Sequence, residues 1–195
     1  RPDFKEAANA TFYDNEFNVR VRGNPFLEIS NIINADLRWE WYLSEIDNLS
    51  VALFYKDMDK PIERVVQAAS GTAGNTRTFQ NSDSAALYGV ELDGRFEFIL
   101  GDGYDQTLFF AFNAAFIESE VSANNQEDRS LQGQPEYTAN LIFGYDHISA
   151  GHQLTVLLNQ NGQSIADVGV SGQPDVFLRS EEHTSEPVTR SHLVC

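Results

Sequence analysis

The stretch NADLRWEWYLSEIDNLSVALFYKD, residues 34–57, decides the fold. Ala35, Leu37, Trp39 and Trp41 fall on one side of an extended chain, and Asp36, Arg38 and Glu40 fall on the other. That is the two-residue period of a β-strand; a helix would scatter these residues around its circumference. After the acidic break SEID the alternation resumes, with Leu49, Val51, Leu53 and Tyr55 on one face and Ser50, Ala52 and Lys56 on the other. Phe54 is the exception on the polar face. The two runs predict an antiparallel hairpin with a short turn.

Four further runs carry the same pattern. Tyr88, Val90, Leu92, Phe96 and Phe98 alternate with Gly89, Glu91, Asp93, Arg95 and Glu97. Leu108, Phe110, Phe112, Ala114 and Phe116 follow at spacing two, although Phe109 and Ile117 make the opposite face less polar. Tyr137, Ala139, Leu141, Phe143 and Tyr145 alternate with Thr138, Asn140, Ile142, Gly144 and Asp146, and Leu154, Val156 and Leu158 mark a sixth strand. The fold class expected is therefore all-β, with about six up-and-down strands.

Composition removes several function classes. A chain of 195 residues with 42% hydrophobic and 12% aromatic residues can bury a core and is not a disordered tail. No window approaches the roughly 18 consecutive apolar residues of a membrane-spanning helix, and the first residues, RPDFKEAANA, lack the pattern of a signal peptide. A net charge of −16 argues against nucleic acid as a partner. The only cysteine is Cys195.

The apolar face needs a partner, and the lengths of the links point to one. LSEID, GDGYDQ and DHISAG are short, whereas the connections near residues 5–31, 57–84, 119–135 and 160–174 are long, polar and rich in Gly and Asn. Short turns at one end and long loops at the other describe an outer-membrane barrel. On that reading Trp39, Trp41, Tyr55, Phe96, Phe98, Phe110, Phe112, Tyr137, Phe143 and Tyr145 face lipid or form its aromatic girdles. Asp36, Arg38, Glu40, Glu91, Asp93, Arg95 and Glu97 would line the lumen. Periodicity alone leaves a soluble β-sandwich or a lipocalin-like barrel open, because both also alternate apolar and polar faces.

Several segments together resemble a known family. RPDF (1–4), RGNPFLEISNIINADLRWEWY (22–42), SVALFYKDMDKPIERV (50–65), ALYGVELDGRFEF (86–98) and GQPEYTANLIFGYDH (133–147) are similar to the C-terminal barrel of TonB-dependent outer-membrane receptors, in the expected order over residues 1–178. The resemblance implies a transmembrane β-barrel fragment with short periplasmic turns and long extracellular loops. It also implies a parent in the cell outer membrane that takes up a scarce small-molecule nutrient, siderophore-like, cobalamin-like or other, with energy from TonB. The partners implied are outer-membrane lipid, the nutrient ligand, and the TonB complex acting through an N-terminal plug region. Nothing in this chain resembles that plug, the TonB-binding box or the final barrel strand, so the expectation is a truncated piece of the parent. A passive porin-type channel shares the strand pattern and stays open as an alternative.

Residues 179–195, RSEEHTSEPVTRSHLVC, break the alternation and resemble no receptor segment. Their first part, RSEEHTSE, and their last, HLVC, are similar to a translated sequencing adapter, so this tail is expected to be non-biological and to stand outside the fold.

Chemistry-bearing motifs are sparse. GDGYDQ (101–106) has the opening of a calcium loop without the further ligands or closing Glu of an EF-hand, and a turn is the simpler reading. His147 and His152 flank a turn at a spacing unsuited to a helical metal pair. No nucleophile elbow or phosphate loop is present, and the carboxylates 91 and 93 are explained by a wet strand face. The expectation is no enzyme activity, no catalytic residue, no metal and no cofactor.

Overall fold

A computed structural model of the chain describes residues 1–15, 19–68, 75–101, 103, 105–123, 128–170 and 173–178. In chain order its elements are α1 (Phe4–Ala7), β1 (Thr11–Asp14), β2 (Val19–Arg22), β3 (Asn31–Tyr42), β4 (Asn48–Asp59), β5 (Ile62–Ala68), β6 (Asn75–Asn81), β7 (Ser84–Leu100), β8 (Gln106–Ser122), β9 (Tyr137–His147), β10 (His152–Asn161), β11 (Ser164–Gly169) and β12 (Val176–Leu178). The expected tail, 179–195, lies outside the described residues, as do Asp102 and Tyr104 of the GDGYDQ turn. Among the described residues no helix is long and apolar enough to cross a membrane.

The six expected strands form one sheet in the order β10-β9-β8-β7-β4-β3, antiparallel throughout. This is an up-and-down wall that does not close on itself. β7 and β8 are longer than the alternation implied, 17 residues each, so the link expected to begin at 119 starts only after Ser122.

The aromatic exceptions on the polar face have a common cause. Phe54 pairs directly with Gly89 and Phe109 with Gly144, and in each case the ring lies where a glycine Cβ would stand. On the apolar face Phe112 covers Gly94 in the same way. The missing side chains make room for the rings, which restore packing that glycine alone would forfeit.

Long links hold a second sheet that the sequence did not foretell. Its order is β1-β2-β6-β5-β11-β12, drawn, apart from β12, from the segments expected as loops near 5–31, 57–84 and 160–174. Two of its pairings, β2 with β6 and β11 with β5, are parallel. Val65, Ile165 and Val168 form its core. A second cluster, Met58, Ala85, Leu87 and Val121, sits on the polar-face side of the large sheet at the loop end, with Phe54, Ile117 and Leu131 packed against it.

The buried hydrophobic residues all lie in the small sheet or on this polar-face side. None of the described ones belongs to the apolar face of the large sheet. There Trp39 is 62% exposed, Leu53 53%, Phe98 57%, Phe116 56% and Leu158 57%. Covering one such side chain is worth roughly 1.5–3 kcal/mol, so the face as a whole calls for an apolar surrounding. A sandwich would have laid its second sheet on this face; here the second sheet covers none of it.

Candidate functional site

The polar face of the large sheet is organised around one rung. In register, Glu40, Ser50, Asp93, Asn113, Asn140 and Asn159 stand side by side across all six strands. Arg38, two residues from Glu40 on the same face of β3, knits the rung together. Its Nε donates to Glu40 at 2.8 Å and its Nη2 to Ser50 Oγ at 2.8 Å and to Asp93 at 3.4 Å. The Tyr42 hydroxyl donates to Glu40 at 2.6 Å, and Ser50 Oγ to Asp93 at 3.2 Å. Asn113 Nδ2 donates to the other Asp93 oxygen at 2.5 Å, and Asn140 Nδ2 to Asn113 Oδ1 at 3.4 Å. Arg38 and Glu40 remain about half exposed, so this is a wetted network rather than a buried core.

All seven residues expected on the lumen share this face. Arg38, Glu40 and Asp93 are brought together by the rung, while Arg95 lies 5.9 Å over the Phe109 ring. Asp36 and Glu91 line a cleft of about 280 Å³ at the loop end, with Asn34, Lys56, Ile117 and Gln134. Glu97 stands near the turn end, where its backbone N–H donates to Asp47 at 2.8 Å.

The residues expected toward lipid share the other face. Trp39 and Trp41 stack with centroids 6.2 Å apart near the short turn. Tyr55 pairs with Tyr88, and Phe116 with Tyr137, in an aromatic row near the loop end. Just beyond that row the same face turns acidic, with Asp57, Glu118 and Glu120, and the Tyr88 hydroxyl bonds Glu118. Between the two aromatic levels β7 runs from Tyr88 to Phe98, close to the 9–11 residues a tilted strand needs to cross a bilayer.

Short turns brace one another. Asp105 accepts from the backbone N–H and the hydroxyl of Ser149, both at 2.8 Å, and His147 approaches it at 3.4 Å. The Ser149 bonds hold the Asp105 carboxyl below its ordinary range. His147 and His152 pair directly at the ends of β9 and β10, and no group of ligands able to hold a metal occurs among the described residues. At the loop end Lys60 pairs with Glu28, which raises the Lys60 ammonium above its ordinary value.

Sequence reasoning missed a set of buried charges in the small sheet. Glu63, 2% exposed, is gripped by Arg129 at 2.6 and 2.9 Å and takes a hydrogen bond from Ser82. Asp167, 1% exposed, lies between Arg64 and Arg77, the latter at 2.5 Å. No local pattern marks these residues, because each arginine partner is more than 60 positions away. Asn113 did carry a signal: its odd position in LFFAFNAAF assigns it to the polar face.

A family model for the TonB dependent receptor-like β-barrel matches residues 1–175. The chain belongs to the TonB-dependent receptor-like β-barrel family. The siderophore receptor PirA of Acinetobacter baumannii is similar in fold, with a TM-score of 0.50 and 17% identity over 94% of this chain and 27% of that one. The ferric enterobactin receptor PfeA of Pseudomonas aeruginosa, solved as a mutant with enterobactin, gives 0.46 and 17% identity over 75% and 21%. The chain thus spans about a quarter of the length of these receptors. No curated protein matches it.

Proposed function

We propose that this chain is part of the wall of an outer-membrane active transporter, which takes up a scarce small-molecule nutrient with energy delivered through TonB. One observation carries the membrane reading: a continuous apolar face, bounded by aromatic rows and left uncovered by the protein's own core. Lipid is the surrounding that such a face requires, and antiparallel strands with their polar groups paired are a form that can stand in it. On this reading the apolar face and its girdles meet outer-membrane lipid, and the Glu40-to-Asn159 rung with Asp36, Glu91, Arg95 and Glu97 faces the lumen. The small sheet, built from the long links, receives the ligand, because binding residues concentrate on such segments. Family membership supports a receptor; TonB would act through a plug region outside this chain.

The test is uptake. The receptor that carries this segment is expressed in a receptor-deficient Gram-negative strain, and accumulation of labelled ferric siderophore and labelled cobalamin is followed with and without functional TonB. TonB-dependent accumulation of either supports active transport. Entry of small solutes at the same rate without TonB would instead assign a passive channel.

A further inference from the structure

Residues 128–136 lie between β8 and β9, and their bonds divide unequally between the two sheets. Toward β8 there are four. Three are between neutral groups: Val121 N–H to Arg129 O at 2.8 Å, Leu131 N–H to Ser119 Oγ at 3.0 Å, and Ile117 N–H to Glu136 O at 2.8 Å; the fourth, Ser122 Oγ to the Asp128 carboxylate at 3.1 Å, is exposed to water. Toward the small sheet the grip is tighter. Arg129 holds both Glu63 oxygens, at 2.9 and 2.6 Å, with the two side chains only 12% and 1% exposed. Gln132 accepts from Arg64 N–H at 2.8 Å and donates to the carbonyls of Arg64 at 2.9 Å and Ala166 at 2.6 Å, standing in for a strand residue between β5 and β11. Gly133 N–H adds a bond to Ile165 O at 2.8 Å. Bidentate charge-assisted bonds away from water are stronger than neutral ones, and they fix geometry. The half-buried packing of Leu131 on the apolar cluster is non-directional and permits sliding.

We infer that residues 128–136 form a strap that moves with the small sheet rather than with β8, and that the Arg129–Glu63 pair is the latch that makes it do so. The strap also borders two clefts. Gln134 lines the cleft on the polar face and, with Ser130 and Glu136, a larger cleft of about 820 Å³ that reaches Leu53, Tyr88 and Phe116 of the apolar face. A shift of the small sheet therefore peels the strap from Ile117 and Ser119 and uncovers the loop end of β8, beyond its pairing with β9. This coupling stands independently of what the protein transports.

The test is hydrogen–deuterium exchange in the micelle-solubilised receptor that carries this segment, read at Ile117, Val121 and Leu131. Asp167→Asn, which loosens the small sheet while leaving the latch, is expected to speed exchange at these amides about tenfold. Adding Glu63→Gln cuts the latch, and the strap then stays on β8, so protection returns. Arg129→Lys in the Asp167→Asn background, which keeps the charge but loses the two-pronged grip, is expected to restore it in part. The inference is overturned if Asp167→Asn leaves the β8 amides unchanged, or if either second substitution speeds their exchange further.

Discussion

Single residues set how tightly the large sheet packs and where its hairpins join. A Cβ on Gly89 would stand 2.5 Å from Phe54 Cζ and 2.4 Å from the Phe116 carbonyl oxygen, and the backbone oxygen cannot swing away. Gly89→Ala is therefore expected to destabilise by about 1–3 kcal/mol, the cost of overpacking, read as a lower urea midpoint for the detergent-folded protein. An unchanged midpoint would mean that Phe54 does not lie over this glycine. Asp105 gives a pH signature. Its carboxyl titrates below the ordinary value of 3.8, so its contribution to stability is present above that value and lost as pH falls through the depressed one. Exchange of the Ser149 amide should rise relative to an unstructured reference peptide below about pH 3.8. Asp105→Asn should remove that pH-dependent step, and a step that persists in the variant would place its origin elsewhere.

At the scale of elements, the two sheets differ in what holds them and in how well a sequence announces them. Asp167 joins β11 to Arg64 of β5 and Arg77 of β6, and removing one member of a buried ion cluster costs about 3–5 kcal/mol because the other charges stay behind. Asp167→Ala should expose β5, β6 and β11 to limited proteolysis while β7, β8 and β9 remain protected; simultaneous cleavage throughout would show that the sheets are one cooperative unit. The large sheet was legible because its strands are long and regularly alternating and three of its five pairings, β3–β4, β7–β8 and β9–β10, close through short turns, so each face can be read residue by residue. The small sheet was not. β1 and β2 have four residues each, β6 reads NTRTFQN, and the parallel partners Arg20 with Thr76 and Val65 with Val168 are far apart in sequence. Short polar strands with distant partners look like loops, and the buried Glu63 and Asp167 look like solvated carboxylates until their arginines arrive by folding. The polar rung lay between these cases: parity placed Asp93 and Asn113 on one face, but the register that aligns them with Glu40 and Asn159 depends on the turns.

For the whole molecule, the central claim is that the apolar face meets lipid. The protein's own interior supports this, since its core lies in the small sheet and on the polar-face side, leaving the wall's outer surface for another solvent. Trp39 and Trp41 are this chain's only tryptophans, and both lie on that face at its turn end. They are therefore built-in reporters of what the face touches. The most direct measurement is their fluorescence in reconstituted bilayers carrying bromine at different acyl-chain depths, made on the receptor that carries this segment with its other tryptophans replaced by phenylalanine. Strong quenching by the lipid-borne bromine is expected, greatest for the label nearest the interface, with little quenching by iodide in the water. Efficient iodide quenching with no response to brominated lipid at any depth would contradict it and return the wall to a soluble β-protein.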